Sequence, residues 1–341
     1  MNGSKTVDSG INDYNDLHFK ADVKERSAAY KSLVNTYYDL STVFYEWGWG
    51  DSFHFCYRFA GESFYNAIRR HEFALVAKIG LTQANMQVLD VGCGIGGPLK
   101  AICRFTNQNI TGITLNQYQV DRGNELCQRD AVCKDKAKLV QGDFMKMPFQ
   151  EDSFDAAYAI EATCHAPDRV KVYSEVLRVL KPGSIFACYE WCMTDAYEKG
   201  NPEHERIKKM VEEGDALPDI VHTSVCLEAL KKAGFEVLES RDMVNDEIGP
   251  NGKVWYLPLV PSWNPFTQRF QFNWLGFRLT SFLIRVLELA WIAPKGSYKT
   301  HRMLQHGGWG LAEAGKTGIM TPMFLMVGRV PDKTNGKTSR K

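Results

Sequence analysis

The first thing this chain lacks is an excess of charge, because 41 Lys and Arg stand against 40 Asp and Glu in 341 residues, a net charge of +1. The basic residues are interleaved with acids, so the footprint of a nucleic-acid binder is missing and that class is set aside. No two cysteines stand at C-x-x-C spacing and no histidine spacing suits zinc; the nine cysteines read as reduced, mostly buried thiols, and no metal is expected. Residues 1–20 are polar and lack the apolar segment of a secretory leader, so a cytoplasmic location is expected. The Asn109-Ile110-Thr111 sequon is then incidental. An uninterrupted apolar run of spanning length is also missing. Residues 272–293 come nearest, but Arg278, Arg285 and Glu288 break the run, and each such charge costs about 2.5–3.5 kcal/mol at a bilayer centre. That stretch is expected to be an amphipathic helix, buried on one face in the core or lying on a membrane. Internal repeats and low-complexity blocks are absent too.

What is present, 44% hydrophobic and 24% charged residues, suffices for one large core with an appendage. Its most informative stretch is Val88-Leu89-Asp90-Val91-Gly92-Cys93-Gly94-Ile95-Gly96-Gly97-Pro98, an apolar strand running into a glycine turn. Gly92, Gly94 and Gly97 satisfy G-x-G-x-x-G, and with Gly96 they let a ligand approach the backbone and rest on a helix N-terminus. Asp90 separates the candidate ligands. A carboxylate repels a pyrophosphate but attracts the ammonium and sulfonium of S-adenosylmethionine, so the loop reads as that of a methyltransferase.

From residue 87 onward, β-rich runs alternate with helical stretches, the pattern of a doubly wound α/β sheet. Strands are expected at 87–91, 110–115, 138–142, 154–160, 184–190, 235–242 and 321–329, and helices at 97–105, 117–132, 169–180 and 223–233. The domain reading is a flexible polar N-terminus at 1–29, a helical aromatic lid at 30–80 and a cofactor-binding core at 81–243. A C-terminal region at 244–330, an insertion plus the last strand, and a disordered tail at 331–341 complete it. Lid and insertion are expected to close over the carboxyl ends of the strands, where open α/β sheets bind ligands.

Four groups of residues carry chemistry. Asp143 and Phe144, ending the third strand, suit an adenine, one accepting from the exocyclic amine and the other forming an apolar wall; a plain strand-end turn is the alternative. Asn116 and Gln119, following the second strand, suit ribose hydroxyls or are the ordinary polar surface of a first helical turn. Glu161 and His165 end the fourth strand and are able to move protons, as site residues or structural ones. A Cys164 thiolate beside His165 is a minor reading, since direct methyl transfer needs no covalent intermediate. Finally, the block Tyr45-Glu46-Trp47-Gly48-Trp49-Gly50-Asp51-Ser52-Phe53-His54-Phe55, followed by Glu62, is either a core clamp or a pocket of π faces and carboxylates that stabilises a cation.

Taken in order, YEWGWGDSFHF, LDVGCGIGGP, GITLN, VQGDFMKMPF, YAIEATCHAP and LKPGSIFACYEW resemble the sterol 24-C-methyltransferase family over residues 37–329. The resemblance implies a class I methyltransferase (Rossmann-like) fold of seven strands with a helical N-terminal segment and a C-terminal sterol pocket. It implies S-adenosylmethionine as donor and methylation of the side-chain double bond of a Δ24 sterol. It also implies site roles for Tyr45, Glu46, Trp47, Glu62, Glu161 and His165, and a weaker one for Asp215 in Glu213-Gly214-Asp215-Ala216-Leu217-Pro218. Glu62, Glu161 and His165 are the candidate final bases. Any contact with endoplasmic reticulum or lipid droplets is expected to be peripheral, through residues 266–291, and a homo-oligomer is left open. The rival readings are a cyclopropane-type or other small-molecule methyltransferase and a non-catalytic sterol-binding protein.

Overall fold

The apolar run after residue 86 forms the first strand, β1 (Gln87–Val91), and its alternating side chains set the two layers around it. Val88 packs with Leu75 and Val76 of α4 (Phe64–Val76), Leu99 and Ile102 of α5 (Gly97–Thr106) and Val120 of α6 (Gln117–Gln128). Leu89 and Val91 point the other way, to Val172 and Val176 of α7 (Arg169–Val179) and Leu230 of α9 (Thr223–Lys232). The computed structural model describes residues 7–19, 22–262 and 273–332.

Six further strands complete the sheet: β2 (Asn109–Thr114), β3 (Ala137–Gln141), β4 (Phe154–Ile160), β5 (Leu180–Met193), β6 (Glu236–Asp242) and β7 (Met320–Arg329). The order is β3-β2-β1-β4-β5-β7-β6, with β7 antiparallel to both neighbours and the other pairs parallel. The seven expected strands are all present. β5 extends further than expected at both ends, since Leu180 pairs with Phe154 of β4 and the antiparallel partner β7 keeps pairing as far as Met193.

Three segments differ from expectation. The N-terminus does not read as flexible once folded: α1 (Val7–Phe19) buries Ile11 and Tyr14 against Leu33, Tyr37 and Leu40. Those last three belong to α3 (Tyr30–Gly48), entered through the short α2 (Val23–Ala28). An unexpected helix, α8 (Pro202–Gly214), fills the connection after β5, its first turn capped by Asn201. The insertion holds α10 (Trp274–Leu289) and α11 (Ser297–Thr317), and α10 buries only Gly276, so it is no core helix. Of the expected amphipathic stretch, residue 272 lies outside the described residues, as do 266–271 of the expected membrane contact. No described helix is long and apolar enough to cross a membrane.

Candidate active site

The glycine turn leaves β1 with Gly92, Gly94 and Gly96 all at positive φ (84°, 54° and 77°), backbone that a side chain would strain. A Cβ on Gly92 would also lie 2.3 Å from that of Ala162. The fourth glycine has a different reason: a Cβ on Gly97 would meet the Asp51 carbonyl oxygen at 2.0 Å, so it admits the 51–52 backbone and not a ligand. Gly92, Gly94, Asn116, Gln119, Phe144, Glu161 and His165 line one small cavity beside the turn.

Three expected cofactor residues are not in its wall. Gly96 packs on Leu139. Asp90 shares the face of β1 that carries Val88, so its carboxylate turns beneath the turn and accepts from the Tyr158 hydroxyl at 3.0 Å, opposite it across the β1/β4 register. Burial pushes its pKa up to about 7, and the Tyr158 hydrogen bond only partly offsets this. Asp143 is occupied by the Tyr30 hydroxyl and, at 2.7 Å, by Lys31, both at the start of α3. Asn116 lines the cavity but caps α6 and donates to Asp39 at 2.7 Å. Gln119 is the residue with capacity to spare. Its carbonyl accepts from the Thr114 hydroxyl at 2.8 Å, and its amide nitrogen is buried without a partner. An orphaned donor in the wall, beside a backbone cradle, fits a polyhydroxylated, charged donor such as S-adenosylmethionine.

Glu161 follows β4 in left-handed backbone, φ 52°, a strained conformation that clusters at functional sites. Its carboxylate accepts from the Phe55 backbone N–H and the Trp191 indole N–H, each at 2.8 Å. Burial drives its pKa up to about 8, against the opposing pull of His54 and these hydrogen bonds. His165 lies in the turn after it, Thr163–His165. The Ala216 carbonyl, 3.2 Å from Nδ1, can only accept, so Nδ1 carries the proton and Nε2 accepts from the Tyr38 hydroxyl at 3.0 Å. Burial lowers its pKa to about 4, leaving a neutral ring near pH 7. Cys164 is no thiolate, since burial raises its pKa well above the usual value.

A second, larger cavity of about 180 Å³ lies between α3, the 49–55 segment and the insertion helices α10 and α11. Tyr45, Trp49, Phe55 and Trp191 line it from the core side, and Phe277 and Trp309 from the insertion. Tyr38, Phe53, His54, Glu161 and His165 belong to both cavities, so the two chambers share one wall. The aromatic block packs on itself and lines a cavity at once: Trp49 and Phe55 stand edge to face, 5.1 Å between centroids, while lining the chamber.

Not every expected residue reaches this wall. Glu46 points outward to Arg122 at 2.8 Å, and Glu62 is held by Arg70 at 2.9 Å and the Phe59 N–H at 3.0 Å. Both are structural carboxylates lining neither cavity. Trp47 lines the larger cavity with 62% of its surface exposed, at the rim. Asp215 is a fuller member than expected: its Oδ1 accepts from Tyr45 at 3.3 Å and Tyr37 at 3.4 Å, and its buried Oδ2 has no partner. Burial raises its pKa to about 7, the two tyrosine hydrogen bonds opposing. His54 carried no assigned role in the sequence. Burial disfavours its charged ring, yet the Glu72 carboxylate 3.2 Å from Nε2, with Glu161, raises its pKa. With His71 it places ring nitrogens within 4.8 Å of a Glu161 oxygen, a donor set able to hold a metal ion.

Comparison with known proteins bears on these cavities. A methyltransferase-domain family model matches residues 89–188, which carry the glycine turn, and a sterol methyltransferase C-terminal model matches 267–332, which carry α10, α11 and β7. The cycloartenol-C-24-methyltransferase of Arabidopsis thaliana is 50% identical over 310 residues, 91% of this chain and 90% of that one. The sterol 24-C-methyltransferase erg6 of Aspergillus fumigatus is 45% identical over 314 residues, 90% of this chain and 82% of that one. Among solved structures, the cyclopropane synthase MmaA2 of Mycobacterium tuberculosis superposes with a TM-score of 0.65 at 16% identity, covering 87% of this chain and 96% of that one. At that identity the likeness is one of fold, and the expected Rossmann-like methyltransferase sheet is the one observed.

Proposed function

The chain belongs to the sterol 24-C-methyltransferase family and is an S-adenosylmethionine-dependent enzyme of sterol synthesis, and from that premise we propose which residues carry the transfer to a Δ24 sterol. The observation behind the assignment is the shared wall: Glu161 and His165 face the glycine-turn cavity on one side and the aromatic cavity on the other. Gly92, Gly94, Gln119 and Phe144 would hold the donor. When bound, it supplies an electrophilic methyl group. The aromatic cavity holds the sterol with its side-chain double bond against the wall, and alignment of the two reactants is the main catalytic lever.

Attack by the alkene on the methyl leaves positive charge on the side chain, at carbon 25, and hydride migration from carbon 24 precedes loss of a proton from the new methyl. Tyr38, Phe53, Phe55 and Trp191 offer ring faces to that charge, each contributing about 0.5–2 kcal/mol in a desolvated site. Glu161 takes the proton. Each of its oxygens accepts one N–H and keeps a further lone pair; its pKa of about 8 keeps the carboxyl mostly protonated in the free protein at neutral pH, and the positive charge of a bound sulfonium favours the carboxylate that acts as base. His165 and Tyr38, bonded to each other, hold the ring geometry of the wall. Incubation of the purified protein with labelled S-adenosylmethionine and a panel of Δ24 sterols, read by mass spectrometry, tests this. Sterol heavier by one CH2, the methyl gained less the proton lost, is expected, and failure to label any Δ24 sterol overturns it. Unsaturated phospholipids, the acceptors of a cyclopropane-type enzyme, serve as the control and should stay unlabelled.

A further inference from the structure

α10 presents two faces of opposite use. Phe277 and Thr280 face the larger cavity, while Leu279, Phe282, Leu283, Val286 and Leu289 recur at helical spacing on an exposed face. Phe282 is 68% exposed, Leu289 73%, and Trp291, just past the helix, 94%. Trp291 stands in left-handed backbone, φ 63°, unusual for a bulky residue, and the turn projects its ring into solvent. Arg278 and Arg285, seven residues apart and both exposed, run along one edge of the apolar face. Contiguous apolar surface of this kind marks an interaction site.

We propose that this face of α10, with Trp291, docks on a phospholipid surface bearing anionic headgroups, so that the enzyme draws its acceptor from the lipid phase. The proposal rests on the reading of the acceptor as a sterol, a molecule that resides in lipid and not in water. Three features select a lipid over a second copy of the chain. The edge arginines complement anionic headgroups, and the acid of the helix, Glu288, is taken up by the Gly296 and Tyr298 N–H groups. A tryptophan beside the apolar stripe is the residue type of the membrane interface. The cavity-lining residues Phe277 and Thr280 lie on the same helix, so docking through its outer face brings lipid to the wall of the cavity, near the exposed Trp47. The helix lies on the surface; it is too short and too charged to cross it.

Flotation with vesicles of phosphatidylcholine and phosphatidylserine at about 3:1 tests the surface, and a Phe282→Asp, Leu283→Asp double variant should lower the floated fraction about 10-fold. Arg278→Glu with Arg285→Glu should weaken binding to these vesicles and leave binding to pure phosphatidylcholine unchanged. The substituted side chains are exposed, so thermal unfolding should match that of the parent. Methyl transfer to sterol dispersed in detergent should persist in the Asp variant while transfer to vesicle-borne sterol falls. A parent protein that does not float, or an Asp variant that floats equally well, overturns the proposal. So does a parent dimer that the Asp variant converts to monomer without any vesicle binding, since the face would then join two copies. If flotation tracks α10 but no sterol is methylated in either presentation, the docking surface stands and the acceptor assignment fails.

Discussion

Glu161 is the base proposed for the shared wall, and its protonation supplies the sharpest prediction at the scale of one residue. Burial raises its pKa from an ordinary 4.5 to about 8, so in the free enzyme the base is lost as pH falls through about 8, and kcat/KM should drop along an acid limb there. A bound sulfonium favours the carboxylate, so the limb in kcat should lie lower. Glu161→Gln should cost about 10²–10⁴ in rate, whereas Asp215→Asn should keep the limb; a limb that follows Asp215 instead reassigns the base. The linkage has a definite sign. A carboxyl whose folded pKa is raised stabilises the fold below 4.5 and loses that contribution as pH rises through about 8. Denaturant melts should therefore show Glu161→Gln gaining stability relative to the parent between pH 5 and pH 9. Residue types were legible in the sequence and their partners were not. Glu46 sits beside Tyr45 in the acidic-aromatic block and Glu62 follows that block, but whether a carboxylate lines a cavity depends on Arg122, 76 residues from Glu46, or on Arg70. Asp90 was read by chemistry alone, while its direction follows from strand parity, which puts it on the face of Val88 and opposite Tyr158.

At the scale of elements, strands and turns were legible wherever the signal was local. Short β-rich runs alternating with helical stretches placed all seven strands, and Glu161 could be recognised as a chemical group at the end of one of them. The antiparallel insertion of β7 between β5 and β6 depends on pairing across some 80 to 140 residues and leaves no local mark. The helix pair α8 and α11 was equally hidden, although its device is visible in hindsight. Gly214 and Gly307 touch backbone to backbone: a Cβ on Gly214 would lie 2.1 Å from the Gly307 Cα, and one on Gly307 would lie 2.7 Å from the Gly214 Cα. Neither glycine needs its special backbone freedom, and alanine would favour each helix by about 1 kcal/mol. The contact decides otherwise. Gly307→Ala should separate the helices and destabilise the protein by about 1–3 kcal/mol net, measured by denaturant unfolding. Because Asp215 follows Gly214 directly and its Oδ2 lies 3.0 Å from the place of that Cβ, the sterol KM should rise more than the donor Kd. Equal effects on both would mean that the helix pair does not shape the sterol cavity.

At the scale of the whole molecule, the wall between the cavities is held from the opposite end of the chain. α1 lies against α3 and α11, the Tyr14 hydroxyl donates to the Glu213 carbonyl at 2.6 Å and accepts from the Ala216 N–H at 3.0 Å, and Asp8 pairs with Lys299 at 2.8 Å. Ala216 is itself in left-handed backbone, φ 55°. Its N–H is fixed by Tyr14 and its carbonyl by His165, whose other nitrogen holds Tyr38. A single chain of hydrogen bonds thus runs from the N-terminal helix through a strained residue to the shared wall, with Asp215 one position away. Tyr14→Phe removes one link and leaves the buried Ala216 N–H and Glu213 carbonyl unsatisfied, at a cost of about 1–3 kcal/mol. Gly92, Gly94 and Gln119 receive nothing from this chain of bonds, so calorimetric donor affinity should be nearly unchanged while the sterol KM rises and kcat falls. Deleting residues 1–19 should exaggerate the same asymmetry, because it also removes Ile11 and Tyr14 from their packing on Leu33 and Leu40. If truncation instead weakens donor and sterol binding in proportion, α1 stabilises the fold as a whole and the Ala216 clamp does not govern the wall.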